Sequence, residues 1–166
     1  MQIGIISDTH SHMDNAILEA LNGSDEIWHI GDLGNIEILQ PLEKIAPVKG
    51  VFGNADDQKV RLEWPLDLHF ETEGMKVYMT HIGGYPGKYP ARVKALIEEH
   101  KPDIFLSGHS HILKVMPDKQ FNLLHINPGA AGHHGFHAIR TVVRLKISQG
   151  KIENLEVVEL GRRGRV

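Results

Sequence analysis

Short runs of isoleucine, valine and leucine recur along this chain, each closed by a polar cluster, and they set what it can fold into. Residues 2–7 form the first run, and residues 26–30 and 48–52 repeat the pattern. Two segments between them carry apolar residues at helical spacing. One brings Met13, Ala16, Ile17, Ala20 and Leu21 onto a single face before Asn22-Gly23, and the other spans residues 36–45. Buried β-branched runs alternating with amphipathic segments are the pattern of parallel strands joined by crossover helices.

The second half reads differently. Residues 66–72 and 75–80 flank Glu73-Gly74 as a hairpin, residues 112–116 and 121–126 flank Asp118-Lys119, and residues 138–147 and 151–160 flank Gln149-Gly150. A helix is expected over residues 91–100, stopped by Pro102, followed by a buried strand over 103–107. Nothing resembles a repeat or a linker. The 166 residues therefore read as a single α/β domain over 1–166, helix-rich early and hairpin-rich late, and long enough to bury a core.

Composition narrows the chemistry. With no cysteine and 12 histidines, thiolate zinc sites, iron–sulfur clusters, disulfides and a cysteine nucleophile are all excluded. Any metal or acid–base work must use imidazole, carboxylate or amide groups. A net charge of -3 argues against a long nucleic-acid substrate, which needs a basic track. Arg162, Arg163 and Arg165 are the one basic cluster, and they read as a solvated end. The start of the chain has no basic segment ahead of an apolar one, and no apolar run approaches the roughly 20 residues of a membrane span. A cytoplasmic location and no membrane partner are the expectation.

The polar clusters all fall after strands. Ser7-Asp8-Thr9-His10 follows the first, Gly31-Asp32 the second, Gly53-Asn54-Ala55-Asp56 the third, His81 the run at 75–80, and Gly108-His109-Ser110-His111 the run at 103–107. Ligands of open α/β sheets bind outside the carboxyl ends of the strands. Singly each cluster is a weak signal, because Gly-Asp and Gly-Asn are ordinary turn dipeptides and a lone histidine is usually a satisfied polar residue. His-x-His is better, since residues two apart in an extended segment point the same way. Five strand ends all carrying metal-compatible donors make the turn-residue explanation poor.

In order and spacing, Asp8-x-His10, Gly31-Asp32, Gly53-Asn54, His81 and Gly108-His109-x-His111 resemble the calcineurin-like metallophosphoesterases. More narrowly, the chain is similar to their small, single-domain prokaryotic phosphodiesterase branch. The resemblance runs from residue 4 to residue 129 and includes Asn127-Pro128-Gly129. It implies a four-layer α/β/β/α sandwich of two facing mixed sheets. It also implies two divalent metal ions, with Asp8, His10 and His111 on one, Asn54, His81 and His109 on the other, and Asp32 bridging. Asn54 would also orient the phosphate. Manganese is the first expectation, with Fe²⁺, Zn²⁺, Ni²⁺ or Co²⁺ as alternatives, since nitrogen and oxygen donors accept all of them. The implied reaction is hydrolysis of a small phosphoester by in-line attack of a hydroxide held between the metals.

Two positions depart from the family pattern. Many members carry a histidine after the asparagine and an aspartate three residues after the bridging aspartate. Ala55 and Asn35 stand there in this chain. Efficient hydrolysis of esters with poor leaving groups then needs another acid, and His133, His134 and His137 on a glycine-rich loop are the candidates for contact with phosphate or leaving group. Further candidates are Tyr85, Lys88 and Tyr89, which either select substrate or merely stiffen the connection into the next helix, along with His12 and Arg140. His29 reads as a packed residue behind the site. His69, His100 and His125 are given no function. A phosphomonoesterase or nuclease using the same site, and a non-catalytic scaffold of the same fold, are the alternative functions. A homo-oligomer is compatible with the sequence.

Overall fold

The computed structural model describes residues 1–164; of the arginine cluster, Arg165 lies outside the described residues. The chain runs β1 (Gln2–Ile6), α1 (Asn15–Leu21), β2 (Glu26–His29), a 3-10 turn (Ile36–Ile38) leading into α2 (Leu39–Glu43), β3 (Val48–Gly50) and α3 (Gln58–Glu63). It continues with β4 (Asp67–Thr72), β5 (Met75–Thr80), α4 (Ala91–His100), β6 (Ile104–Leu106), β7 (Lys114–Asp118), β8 (Leu123–Asn127), β9 (Ile139–Ser148) and β10 (Lys151–Arg162).

Two five-stranded mixed sheets result, in the orders β10-β9-β1-β2-β3 and β4-β5-β6-β8-β7. In the first, β1, β2 and β3 are parallel and β9 returns antiparallel to β1. In the second, β5, β6 and β8 are parallel, while β4 and β7 close the edges antiparallel.

Strand alternation explains the layers. Ile3 and Ile5 of β1 face inward and meet Val77 and Met79 of β5 and Ile104 and Leu106 of β6 in one core between the sheets. Ile6 points the other way and packs under α1 with Ile17, Ala20 and Leu21. On the far side, Tyr78 and Phe105 cover the outer face of the second sheet and bury Val93 and Ile97 of α4. The result is the expected α/β/β/α sandwich. At Gly4 the Leu21 side chain of α1 packs directly on β1, and a Cβ there would overlap it.

Local chemistry departs from the sequence expectation at three places. The first is α3, which the apolar pattern does not announce; its signal is the Asp57 carboxylate, which caps the amides of Lys59 and Val60. The second is the turn between β7 and β8, which lies two residues later than expected. Asp118 Oδ1 accepts from the Gln120 amide and Asn122 is left-handed at φ 53°, so Phe121 sits in the turn rather than in a strand. The third is Arg163, which is no solvated end: its guanidinium donates to the carbonyls of His133 and His137 and ties the last strand to the histidine loop.

Candidate metal centre

The carboxyl ends of β1, β2, β3, β5 and β6 converge at one edge of the sandwich. Asp8, His10 and His111 come together there, as do Asp32, His81 and His109; within each group one donor atom per residue lies within 4.8 Å of the others. Asp32 Oδ2 stands between the two groups, 3.2 Å from His81 Nε2 and 3.7 Å from His10 Nε2. Asn54 and Ala55 line the same cavity, of about 280 Å³, together with His10, His111 and His134.

Unusual backbone brings these side chains in. Asp8, His10, Asp32, His109 and His111 all have left-handed φ, between 46° and 66°. Such a conformation is uncommon outside glycine and clusters where function over-determines the local structure. It also corrects the reason given for the His-x-His pair. Neither residue is extended, so the two rings part: His111 joins Asp8 and His10, while His109 joins Asp32 and His81.

Hydrogen bonds fix the donors from behind. Asp8 Oδ2 accepts from Ser7 Oγ at 2.6 Å and from the His109 amide at 3.2 Å. Asp32 Oδ1 accepts from the Ala55 amide at 2.8 Å. His81 Nδ1 donates to the Ile30 carbonyl at 2.7 Å, which sets the tautomer and leaves Nε2 a free lone pair. Behind them, His29 Nε2 meets Thr9 Oγ1 at 2.9 Å in a fully buried position, the packed role expected of it.

The donors face a common centre rather than each other. Asp8 Oδ1 lies 3.1 Å from His111 Nε2 and 4.0 Å from His81 Nε2. Yet Asp8 Oδ1 and His81 Nε2 are buried with no hydrogen-bond partner among the described residues. Buried polar atoms are rarely left so, and a cation between them removes the anomaly. Burial opposes the His81 cation, but the carboxylates of Asp32 and Asp8 outweigh it and hold its pKa above the ordinary value. Burial likewise opposes the charged form of Asp32, and His81 with the Ala55 amide more than offsets it, bringing its pKa to about 2. His10 goes the other way: burial lowers it further than the two carboxylates raise it. The site attracts positive charge, and its nitrogen and oxygen donors fit a borderline divalent ion.

The histidine loop divides. His134 lies against the His10 ring, centroids 4.8 Å apart, and lines the cavity. His133 is engaged by the Arg163 carbonyl and packs edge-on against His12. His137 Nε2 lies 3.0 Å from the Gly132 carbonyl, beside the His111 ring. Phe136 projects entirely into solvent at the cavity rim, an exposure that nothing in its sequence context signals.

The other candidates each have partners of their own. Arg140 is 4% exposed and pairs with Asp14 at 2.9 Å and the Ala131 carbonyl at 3.2 Å. His12 Nε2 lies 3.0 Å from the same Asp14. Tyr85 bonds Ser110, which lines the cavity, and Tyr89 donates to Asp118 at 2.8 Å, at the end of β7. The Asn35 side chain caps the 3-10 turn by accepting from the Glu37 amide.

Two facing mixed sheets with imidazole and carboxylate donors gathered at the strand ends are the hallmark of the metallophosphoesterases. Residues 1–150 match the calcineurin-like phosphoesterase superfamily domain, and the chain belongs to that family. It is 34% identical over 137 residues to a protein of Methanothermobacter thermautotrophicus named probable metallophosphoesterase, covering 78% of this chain and 77% of that one. A phosphodiesterase of Methanocaldococcus jannaschii is 27% identical over 145 residues, covering 78% and 83%. Among solved structures, an archaeal phosphodiesterase superposes with a TM-score of 0.75 at 24% identity, over 95% of this chain and 100% of that one. Vps29 of Entamoeba histolytica in complex with Zn²⁺ gives 0.73 at 18% identity, over 97% and 100%. No helix of the described residues is long and apolar enough to cross a membrane.

Proposed function

We propose that this protein is a dinuclear metal-dependent phosphodiesterase acting on a small or exposed phosphoester. The observation that carries the reading is the placement of Asp32 Oδ2 between two separate donor groups at the floor of one cavity. Asp8, His10 and His111 would hold one ion, Asn54, His81 and His109 the other, and Asp32 would be shared. When bound, two such ions supply Lewis acidity that lowers the pKa of the attacking water and offsets charge on the phosphoryl oxygens.

The protein's own groups supply orientation. The Ile30 carbonyl keeps the His81 lone pair aimed into the site, and the Ala55 amide keeps Asp32 Oδ2 turned toward both donor groups. With Ala55 and Asn35 in place of the usual acid pair, His134, which lines the cavity, would protonate the leaving oxygen. Manganese is the first metal to try. A mildly acidic chain, net charge -3, fits a small ester better than a long nucleic acid.

A second reading, a non-catalytic scaffold, is favoured by the missing acid pair and by Phe136, exposed beside the site. One assay separates them: metal content, and hydrolysis of bis(p-nitrophenyl) phosphate with Mn²⁺, for the protein and for Asp32→Ala. A bound metal and a rate lost in the variant are expected. No bound metal, or equal rates, would overturn the enzyme.

A further inference from the structure

Beside the metal centre lies a second cavity of about 390 Å³, and Asn54 and His81 form part of its wall. The size falls in the range of small-ligand sites. The rest of its lining includes Phe52, Leu66, Ile82 and Pro90, with two guanidinium groups, Arg61 and Arg92. Asn54 lines the metal cavity as well, so the two spaces meet along one residue.

Three features set this cavity apart from an ordinary surface cleft. Leu66 and Ile82 are each 45% exposed although both are large and apolar, and both border the cavity. Arg61 is held rigid: Nε donates to the Asp56 carbonyl at 2.8 Å, Nη2 reaches the carbonyls of Gly53 and Asn54, and the guanidinium lies 4.7 Å over the Phe52 ring. Arg92 is paired with Asp67, whereas no carboxylate lies within ion-pair distance of Arg61 among the described residues. An ordered cation without a counter-ion, at the mouth of an apolar pocket, is built to meet an anion.

We propose that this cavity is a subsite for one ester group of the substrate, a flat apolar group such as an aryl ring that ends in an anion. The phosphate would lie over the donor groups, the ring against Leu66, Ile82 and Phe52, and the terminal anion against Arg61. The proposal deepens the phosphodiesterase reading and rests on it. It names a substrate class, an ester of an anionic aryl alcohol, in place of a generic phosphoester.

Calorimetric titration of the Mn²⁺-loaded protein tests it, because monoesters have one ester group and need no turnover. The probes are inorganic phosphate, methyl phosphate, phenyl phosphate and 4-carboxyphenyl phosphate. Phenyl phosphate is expected to bind about tenfold tighter than methyl phosphate, from burial of the ring. The carboxylate adds a further gain of about three- to tenfold. Leu66→Asn, a change at a half-exposed position, should abolish most of the phenyl advantage, and Arg61→Gln should remove the carboxylate gain while keeping that of the ring. Equal affinities for the three esters, or gains that survive both substitutions, would overturn the subsite while phosphate binding stands. Failure to bind even inorganic phosphate would overturn the underlying reading together with it.

Discussion

Asp32 Oδ2 and His81 Nε2 stand 3.2 Å apart, the distance of a hydrogen bond, yet the His81 nitrogen is left without a bonded partner. The ring cannot turn to improve the contact, because its other nitrogen is held by the Ile30 carbonyl. A carboxylate and an imidazole lone pair fixed side by side in a buried site repel unless a cation or a proton lies between them. The structure therefore places a requirement for positive charge at this point.

Metal loading should accordingly stabilise the fold. Stripping the protein with a chelator and restoring Mn²⁺ to a hundred times its dissociation constant should add about 2.7 kcal/mol. For a chain of this size that is a rise of roughly 5–10 °C in the midpoint of thermal unfolding. Asp32→Asn, which keeps the shape and removes the charge, should show a much smaller rise in the same melting experiment.

Gly135 makes a sharper test of how the histidine loop seats on the centre. Its φ is 113°, and a Cβ there would overlap the His111 ring. Gly135→Ala should cost about 1–3 kcal/mol of backbone strain and should also displace a donor. Metal content measured beside the melting midpoint separates the two effects: metal loss larger than the stability change accounts for is the expected result.

Among the three loop histidines, only His134 lines the cavity. His134→Ala should slow hydrolysis of an unactivated diester by about 10²-fold or more, the usual worth of a positioned acid. The loss on a p-nitrophenyl ester should be smaller, because that leaving group departs without a proton. His133→Ala and His137→Ala should show no such dependence on the leaving group. Parallel rate measurements on both substrates check it, and a uniform loss in His134→Ala would assign that residue to structure alone.

His125 gives the protein an acid limit of its own, outside the donor groups. It is fully buried, its Nε2 lies 3.1 Å from Ser107 Oγ, and burial brings its pKa from 6.5 to about 4. Above pH 6.5 the ring is neutral in both folded and unfolded chains and costs nothing. As pH falls from 6.5 toward 4, the unfolded chain takes up the proton and the folded one does not, so stability declines across that window. The full effect is about 3 kcal/mol. Denaturant titrations at pH 7.5 and pH 4.5 should show the decline, and His125→Gln should reduce it, leaving the part due to buried His29, whose pKa burial brings to about 3.

Much of the sandwich was legible because alternation is a one-dimensional signal. Ile3, Ile5 and Ile6 report two buried faces, and the helix at Ala91–His100 appears with its expected limits. Short elements were not, since α3 has only Val60 fully buried and is defined by the Asp57 cap. Arg163 looked like a free tail because its partners, the carbonyls of His133 and His137, lie 30 and 26 residues away.

The donor types belong to the sequence alone: aspartate, asparagine and histidine at five strand ends, with no cysteine to make a softer site. Tertiary structure decided how they group. His10 and His111 meet across 101 residues because β1 and β6 lie in facing sheets whose carboxyl ends open on the same edge. His109 and His111, two residues apart, go to different groups because their left-handed backbone turns each ring its own way. The second cavity beside Asn54 exists for the same reason: the loop after β3 folds back under Arg61, and periodicity along a chain carries no information about where a loop will lie.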